Sequence, residues 1–191
     1  KKMPVWIHCK GYLVRDDNMK PLYMIGCINE IGERQKADNV SGLLGETGFR
    51  EYMDQQDTPL ETGYLLRIGI DHFKEINDNF GQEYGDFVIR KTADCISGCI
   101  SEAQKVYKLV ADEFLIMDVS SDEVRDAEKL YNKMREEIGR FIEANEFKVM
   151  YTVSGGIVPF GTLGGDQYSE ALKLTDFALN EAKKLGRNRC Y

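Results

Sequence analysis

A short apolar run followed by a charged, helix-like segment is the most informative pattern in the chain. Residues 65–70, LLRIGI, end at a polar cluster and are too short for a core helix, which is typical of a buried strand. Asp71 then occupies an N-cap position, and residues 72–76 have the composition of a helix start. A strand, a tight junction and a helix N-terminus leave free backbone N–H groups, and the pattern therefore predicts a seat for phosphate.

Further along the chain, the hydrophobic periodicity predicts alternating strands and helices. The predicted elements are an apolar helix face over 87–100, a β-hairpin over 105–119, an amphipathic helix over 121–144, a strand over 147–160 and a helix that Gly186 ends. Gly155 and Gly156 inside the last strand predict a β-bulge. The order β-α-α-β-β-α-β-α-β predicts an α/β (α+β) fold with a mixed central sheet flanked by helices.

The N-terminal part has a different pattern. Residues 4–15 and 21–29 are rich in β-formers and are separated by turn-forming residues, so we expect two strands joined by a polar turn. Residues 30–38 are strongly charged, and we expect a short solvent-exposed connector helix there.

Composition narrows the function classes. The 191 residues, 42% hydrophobic and 30% charged, suit a soluble globular domain with a real core. No apolar run approaches the roughly 20 residues of a membrane span, and we expect a cytoplasmic protein. A net charge of −7 argues against nucleic acid as a partner, because counterion release needs a basic face. The five scattered cysteines form no zinc motif and are expected to be buried free thiols.

Several segments together resemble one family. Residues 38–49, DNVSGLLGETGF, residues 65–86, LLRIGIDHFKEINDNFGQEYGD, the VADEF of residues 110–114 and the AKKLGRNR of residues 182–189 are similar to the signatures of GGDEF domains, the diguanylate cyclases of bacterial signalling. The resemblance implies a nucleotidyl-cyclase-like, ferredoxin-like fold of the GGDEF type over residues 39–191.

The first 29 residues resemble the closing strands of a PAS sensor domain. This resemblance implies a domain organisation of a PAS-like tail over residues 1–29, a linker helix over 30–38 and a GGDEF-like domain over 39–191. The alternative is an N-terminal hairpin that belongs to the GGDEF-like domain itself.

The resemblance also implies a metal site, and the chain departs from the family there. The family holds Mg²⁺ with an acid two places before Asp71 and with an acid of the GGDEF hairpin, but Gly69 stands at the first position. Val110 and Ala111 replace the two glycines of the hairpin. By the resemblance, Asp112 remains as a weak metal ligand and Glu113 as a catalytic residue of a degenerate site. The alternative is that both are exposed carboxylates on a hairpin tip.

The nucleotide-binding residues of the family are retained. The resemblance assigns guanine contacts to Asn77 and Asp86, a position beside the phosphates to Phe73, and triphosphate contacts to Lys183 and Arg187. Lys183 and Arg187 are four residues apart, so a continuing helix would place them on one face. Ordinary roles are possible for each residue, as caps, turns or charges that complement a helix C-terminus.

Three functional hypotheses follow. The first is a degenerate GGDEF domain that regulates by binding GTP, or another guanine nucleotide, with little or no cyclase activity. The second is a weakly active diguanylate cyclase that uses one metal ion and joins two GTP molecules into cyclic di-GMP. The third is a dimerisation or docking module without nucleotide. The resemblance also implies a homodimer and a downstream phosphodiesterase domain of the EAL type as partners.

Overall fold

The computed structural model describes residues 6–16, 19–31, 37–121, 123–145 and 147–191. The chain divides between residues 37 and 38 into two compact units. The first contains strands β1, Trp6–Arg15, and β2, Pro21–Ile31, which pair antiparallel with Trp6 opposite Ile31. The two predicted strands are therefore present. Residues 30 and 31 belong to β2, against the prediction of a helix from residue 30, and residues 32–36 of that predicted helix lie outside the described residues.

The second unit is a mixed sheet with helices on its faces. Its elements in chain order are β3 Leu44–Gly45, α1 Glu46–Asp54, β4 Tyr64–Ile70, α2 Phe73–Phe80, α3 Gln82–Cys99, β5 Gln104–Lys108, β6 Glu113–Asp118, α4 Val124–Ala144, β7 Val153–Pro159 and α5 Gln167–Lys184. The strand order is β3-β5-β6-β4-β7, in which β3 and β5 are parallel and all other neighbours are antiparallel. The predicted α+β architecture is confirmed.

Strand β4 is the centre of this unit because both of its faces are covered. Side chains alternate across a strand, so its even positions share one face and its odd positions the other. Leu66, Ile68 and Ile70 pack into the larger core cluster, with residues of α3 and α4. Leu65 packs into the second cluster, with Phe49 of α1 and Ala171 of α5. Arg67 and Gly69 therefore lie on the face of β4 that packs against α5.

The predicted bulge at Gly155 and Gly156 is wrong. The register of β7 against β4 is continuous from Val153 opposite Ile70 to Pro159 opposite Tyr64. The two glycines are instead places where helices approach closely. A Cβ on Gly155 would lie 2.9 Å from the ring of Tyr131 in α4, and a Cβ on Gly156 would overlap the backbone of α5.

Composition led to two expectations, that the cysteines are buried free thiols and that no segment spans a membrane. Cys95 and Cys99 are buried free thiols, as predicted, and burial raises the pKa of Cys95 to about 11. Cys190 is a free, half-buried thiol. Among the described residues, no helix has the length and apolar character needed to cross a membrane.

Candidate functional site

The junction between β4 and α2 is built differently from the prediction. Helix α2 begins at Phe73, and its N-cap residue is His72, which has a positive φ of 58° and no capping side-chain hydrogen bond. Asp71 does not cap the helix. Its buried carboxylate accepts hydrogen bonds from Thr152 Oγ1 at 2.6 Å and Ser154 Oγ at 2.7 Å, and from the N–H of Asn188 at 3.2 Å. Asp71 therefore fastens the strand end to β7 and to the C-terminal turn, and the capping prediction is wrong.

Three of the predicted ligand residues line one cleft. The cleft has a volume of about 460 Å³, within the usual range for a small-ligand site, and Phe73, Asn77 and Asp86 all face it. Its other lining residues are Asp38, Val40, Gln82, Ile89, Lys108 and Ala111. Residues from α2, α3 and the hairpin thus meet in a concave surface, although they are far apart in sequence.

Asn77 and Asp86 have the chemistry to read a base edge inside this cleft. The Oδ1 atom of Asn77 is buried beside Gly85 and has no hydrogen-bond partner within the described part of the chain, so the amide would gain a hydrogen bond by turning towards a donor in the cleft. Asp86 is half-buried and its carboxylate can accept two N–H groups. Gly85 makes room for this arrangement, because a Cβ there would overlap the amide of Asn77.

Lys108, which was not among the residues predicted from the sequence, lines the buried end of the cleft. Lys108 is only 4% exposed, and its ammonium donates to the carbonyl of Leu109 at 2.9 Å and to the carbonyl of Ala111. Burial lowers the pKa of Lys108, and the nearby carboxylates of Asp38 and Asp112 act in the opposite direction. Lys108 therefore fastens the hairpin turn from below. A lysine directly before an apolar hairpin tip was the available sequence signal.

The turn between β5 and β6 keeps the geometry that glycine normally provides. The carbonyl of Val110 accepts from the N–H of Glu113 at 3.1 Å, which makes Ala111 and Asp112 the two central residues. Ala111 has a φ of 52°, in the left-handed region, whereas Val110 does not have a positive φ. Val110 therefore carries no left-handed strain. Ala111 is the strained position, at a cost of about 1 kcal/mol.

Arg67 is the most consequential residue that the sequence analysis missed. It is 7% exposed, and its Nε and Nη2 atoms donate to Glu113 Oε2 at 2.8 and 2.5 Å. Its Nη1 atom donates to the carbonyl of Leu172 at 3.1 Å, and Asp176 lies 3.3 Å from Nη2. A charged residue inside the apolar run LLRIGI was the signal that could have found it. Glu113 is thus held in a buried ion pair and is not a free carboxylate on a hairpin tip.

The two predicted phosphate-binding cations do not share a helix face. Helix α5 ends at Lys184, and Gly186 follows with a φ of 111°, which confirms the predicted helix end. Arg187 lies beyond it in a turn with a φ of 61°, so the four-residue spacing argument is wrong. Arg187 is exposed, whereas the Lys183 side chain is 24% exposed and its Nζ atom lies 3.9 Å from Glu113 Oε1. Neither residue lines the 460 Å³ cleft, and Lys183 lies beside the hairpin instead.

The carboxylates at this place do not fit a divalent cation. Gly69 has no ligand atom, Glu113 is paired with Arg67, and Asp112 interacts with Lys183 and with the backbone of Ile70, while its buried Oδ2 atom lacks a partner among the described residues. Burial raises the pKa of Asp112, which Lys183 opposes and Glu113 reinforces. No group of three histidine, cysteine or acidic side chains suited to a metal occurs in the described ranges. Asp112 as a metal ligand stays a prediction that the geometry does not favour.

A second cleft, of about 530 Å³, is larger but contains none of the predicted ligand residues. It lies between α2, α4 and the segment before β7, and Glu75, Asn79, Arg135 and Met150 are among its lining residues. The ring of His72, which also lines it, already contacts Glu75 at 2.7 Å. The smaller cleft is therefore the better candidate site.

Comparison of the sequence with known proteins identifies relatives. The family model "Diguanylate cyclase, GGDEF domain" matches residues 35–189. Diguanylate cyclase DosC of Escherichia coli is 31% identical over 141 residues, which are 72% of this chain and 29% of DosC. Diguanylate cyclase VdcA of Vibrio cholerae is 28% identical over 189 residues, 95% of this chain and 55% of VdcA. The chain thus spans between about a third and about half of these curated relatives.

Solved structures share the fold. The diguanylate cyclase SiaD of Pseudomonas aeruginosa, solved with its activator SiaC, superposes with a TM-score of 0.71 at 23% identity, over 83% of this chain and 62% of SiaD. The GGDEF domain of DgcB from Caulobacter crescentus, solved with c-di-GMP, gives a TM-score of 0.69 at 24% identity, over 83% of this chain and 96% of that domain. By its family match and its fold, this chain belongs to the GGDEF family, the diguanylate cyclase domains of cyclic di-GMP signalling proteins.

Proposed function

We propose that this chain is a degenerate, regulatory GGDEF domain that binds GTP, or another guanine nucleotide, with little or no cyclase activity. The proposal rests on the contrast between the cleft and the neighbouring catalytic position at Gly69 and Glu113. Phe73, Asn77 and Asp86, the residues proposed to contact the guanine base and its phosphates, line one cleft. The catalytic place beside it has Gly69 where the family has an acid, and a Glu113 that is engaged by Arg67.

A base-reading cleft without a metal site favours binding over turnover. Joining two GTP molecules builds charge on phosphate oxygens, and divalent metal stabilises that charge. Asn77 and Asp86 act on the base and need no metal for their hydrogen bonds. Occupancy of the cleft can therefore serve as a signal even where the reaction is slow.

A weakly active cyclase is the second candidate, and one observation favours it. Asp112 keeps a buried carboxylate oxygen without a partner among the described residues, and such an atom can accept a single metal ion. One ligand instead of two would hold Mg²⁺ weakly. Glu113 would then serve as the catalytic residue only after it leaves Arg67.

The wider organisation of the protein belongs to the same proposal. We infer that β1 and β2, which ends at Ile31, are the tail of a PAS-like sensor domain, and that a GGDEF domain over residues 39–191 follows, in a cytoplasmic protein. We also infer a homodimer and a neighbouring EAL-type phosphodiesterase domain. The last point has support from LapD of Vibrio cholerae, solved as S helix-GGDEF-EAL, with a TM-score of 0.67 at 21% identity over 83% of this chain and 37% of LapD.

Calorimetric titration with GTP and with ATP tests the nucleotide proposal. We expect GTP to bind at least about fivefold more tightly, because an unpaired carboxylate against adenine costs roughly 1–3 kcal/mol. Asp86→Ala should remove the preference. Asp78→Ala, an exposed carboxylate change on α2 outside the cleft, is the matched control and should leave it unchanged.

Two results would contradict the proposal. If neither nucleotide binds at millimolar concentration, the docking module is the better function. If GTP and ATP bind equally and Asp86→Ala changes neither, the cleft does not read the base. In either case the resemblance of Asn77 and Asp86 to the family would reflect ancestry alone.

A further inference from the structure

The space in front of Gly69 is occupied by a cation. Gly69 lies in β4 opposite Glu113 of the hairpin. A Cβ on Gly69 would lie 3.0 Å from the Nζ atom of Lys183 and 3.2 Å from Leu179 of α5. The ammonium of Lys183 therefore stands where an acidic side chain at this position would extend.

Arg67 places a second cation on the same side of the strand. It is two residues before Gly69 and so shares its face of β4. Its guanidinium is buried and makes two hydrogen bonds to one oxygen of Glu113. Its Nη1 atom donates to the carbonyl of Leu172, and its Nη2 atom also lies 3.3 Å from the carboxylate of Asp176. Such a network fixes the Glu113 carboxylate in place and neutralises its charge.

Cations and carboxylates are interspersed beside the hairpin. The side chains involved are three cations, Arg67, Lys108 and Lys183, and four carboxylates, Asp38, Asp112, Glu113 and Asp176. Sites for Mg²⁺ or Ca²⁺ need carboxylates that are not already paired, because the ion must exchange water for oxygen ligands. Arg67 and Lys183 are the cations nearest to Glu113, and their positive charges oppose a divalent ion there and attract an anion such as phosphate.

We propose that this site binds its guanine nucleotide as the metal-free phosphate anion, with the ammonium of Lys183 in the place of the divalent cation. Arg67 acts as a positioning residue that holds Glu113 away from metal. The inference rests on the proposed function and specifies the form of its ligand. Lys183 is suited to this role because its contact to Glu113 is a loose 3.9 Å, which leaves ammonium N–H groups for phosphate oxygens.

The sign of the magnesium effect follows from charge. A magnesium ion neutralises two of the negative charges on the triphosphate, so the magnesium complex is attracted less strongly by a fixed ammonium. In cyclases that use metal, magnesium strengthens binding instead. The two cases therefore predict opposite effects of a chelator.

Calorimetric titration of the whole chain with GTP, once in excess EDTA and once in excess magnesium chloride, measures this effect. We expect binding in EDTA to be about two- to fivefold tighter, the range of a partly exposed ion pair. Lys183→Ala should weaken binding in EDTA by about tenfold or more, since a charged hydrogen bond to phosphate is lost. Lys184→Ala is the matched control, because Lys184 has the same charge, is 71% exposed and pairs with Glu181.

Manganese chloride alone, followed by electron paramagnetic resonance, tests the metal part without nucleotide. The parent chain should leave manganese free in solution at millimolar concentration. The double variant Arg67→Met with Gly69→Asp releases Glu113 and adds an acid, and it should bind manganese. Circular dichroism establishes whether this double variant is folded. If it is unfolded, the comparison of Lys183→Ala with Lys184→Ala provides the test.

The outcomes separate this inference from the proposed function. GTP binding that is tighter in magnesium than in EDTA overturns the metal-free site and leaves the nucleotide function in place. Binding of manganese by the parent chain overturns it as well. Absence of GTP binding under both conditions overturns the inference and the proposed function together.

Discussion

The ammonium of Lys183 lies 3.0 Å from the point at which a side chain on Gly69 would begin. This relationship explains why an acid cannot simply be restored to the strand. A carboxylate introduced at residue 69 would meet Lys183 first and form an ion pair with it. An acid introduced at residue 69 would therefore share Lys183 with Glu113, and we expect repair of the site to require more than one change.

The first prediction concerns the rate at which the chain forms cyclic di-GMP. With GTP and magnesium the parent chain should form cyclic di-GMP about 10² to 10³ times more slowly than an intact cyclase, because about 3–4 kcal/mol of charge stabilisation is missing. Gly69→Asp alone should recover little. Adding Arg67→Met, Val110→Gly and Ala111→Gly should recover more, as measured by chromatography of the product. Full activity from Gly69→Asp alone would show that neither Lys183 nor the hairpin limits the site.

Two glycines of α3, Gly85 beside Asn77 and Gly98 outside the cleft, provide a matched pair of variants. Gly85→Ala places a Cβ against the amide of Asn77, and should cost about 1–3 kcal/mol in the free energy of unfolding and weaken GTP binding. The Cβ of Gly98→Ala meets nothing within 4 Å among the described residues, and this change should raise the free energy of unfolding by about 0.5–1 kcal/mol. Urea unfolding of both variants checks the stability changes. Equal effects at the two positions would mean that Asn77 is not fixed by Gly85.

The hairpin turn gives a prediction with opposite signs at adjacent residues. Ala111→Gly should raise the free energy of unfolding by up to about 1 kcal/mol, because the φ of 52° is strained for alanine. Val110→Gly should lower it by about 0.4–1 kcal/mol, because Val110 is not at positive φ and glycine adds freedom to the unfolded chain. Thermal unfolding by circular dichroism measures both. A gain at both positions would indicate that the turn adopts another geometry in solution.

Asp118 gives a prediction for acid stability. Burial alone would raise its pKa, but hydrogen bonds from Ser120, Gln104 and Tyr64 hold the pKa below its ordinary value of 3.8. A depressed pKa stabilises the fold above that value, and the stabilisation is lost as the pH falls through the pKa of the folded state. Asp118→Asn should therefore cost about 1–3 kcal/mol near neutral pH, because the new amide opposes the Gln104 donor at 2.8 Å.

The pH series separates this effect from a simple packing loss. The difference in unfolding free energy between the parent and Asp118→Asn should narrow as the pH falls below 3.8. Asp78→Asn, an exposed change, is the control and should show no loss near neutral pH. A difference that stays constant down to strongly acidic pH would mean that charge on Asp118 contributes nothing.

The periodicity of the sequence determined most elements of the second unit, and its resemblance to GGDEF domains indicated three residues of the cleft. Alternation and helical spacing depend only on the local chain, and they placed the buried strand, the hairpin and the helix that ends before Gly186. The resemblance of residues 65–86 to the family indicated Phe73, Asn77 and Asp86, and these residues share the cleft because α2 and α3 are consecutive. These relationships are short-range and therefore visible in one dimension.

Only the tertiary structure decided how the charges are paired. Asp71 resembles an N-cap in sequence, yet its partners are Thr152 and Ser154, more than 80 residues away. Arg67 finds Glu113 because β4 and β6 are neighbours in the sheet, and Lys183 reaches Gly69 because α5 packs across the same face. Ion pairs and close approaches depend on the distance between elements that are remote in sequence, which periodicity does not contain. The sequence therefore determined which residues are present at the site, and the packing of α5 on β4 decided which of them are free to bind.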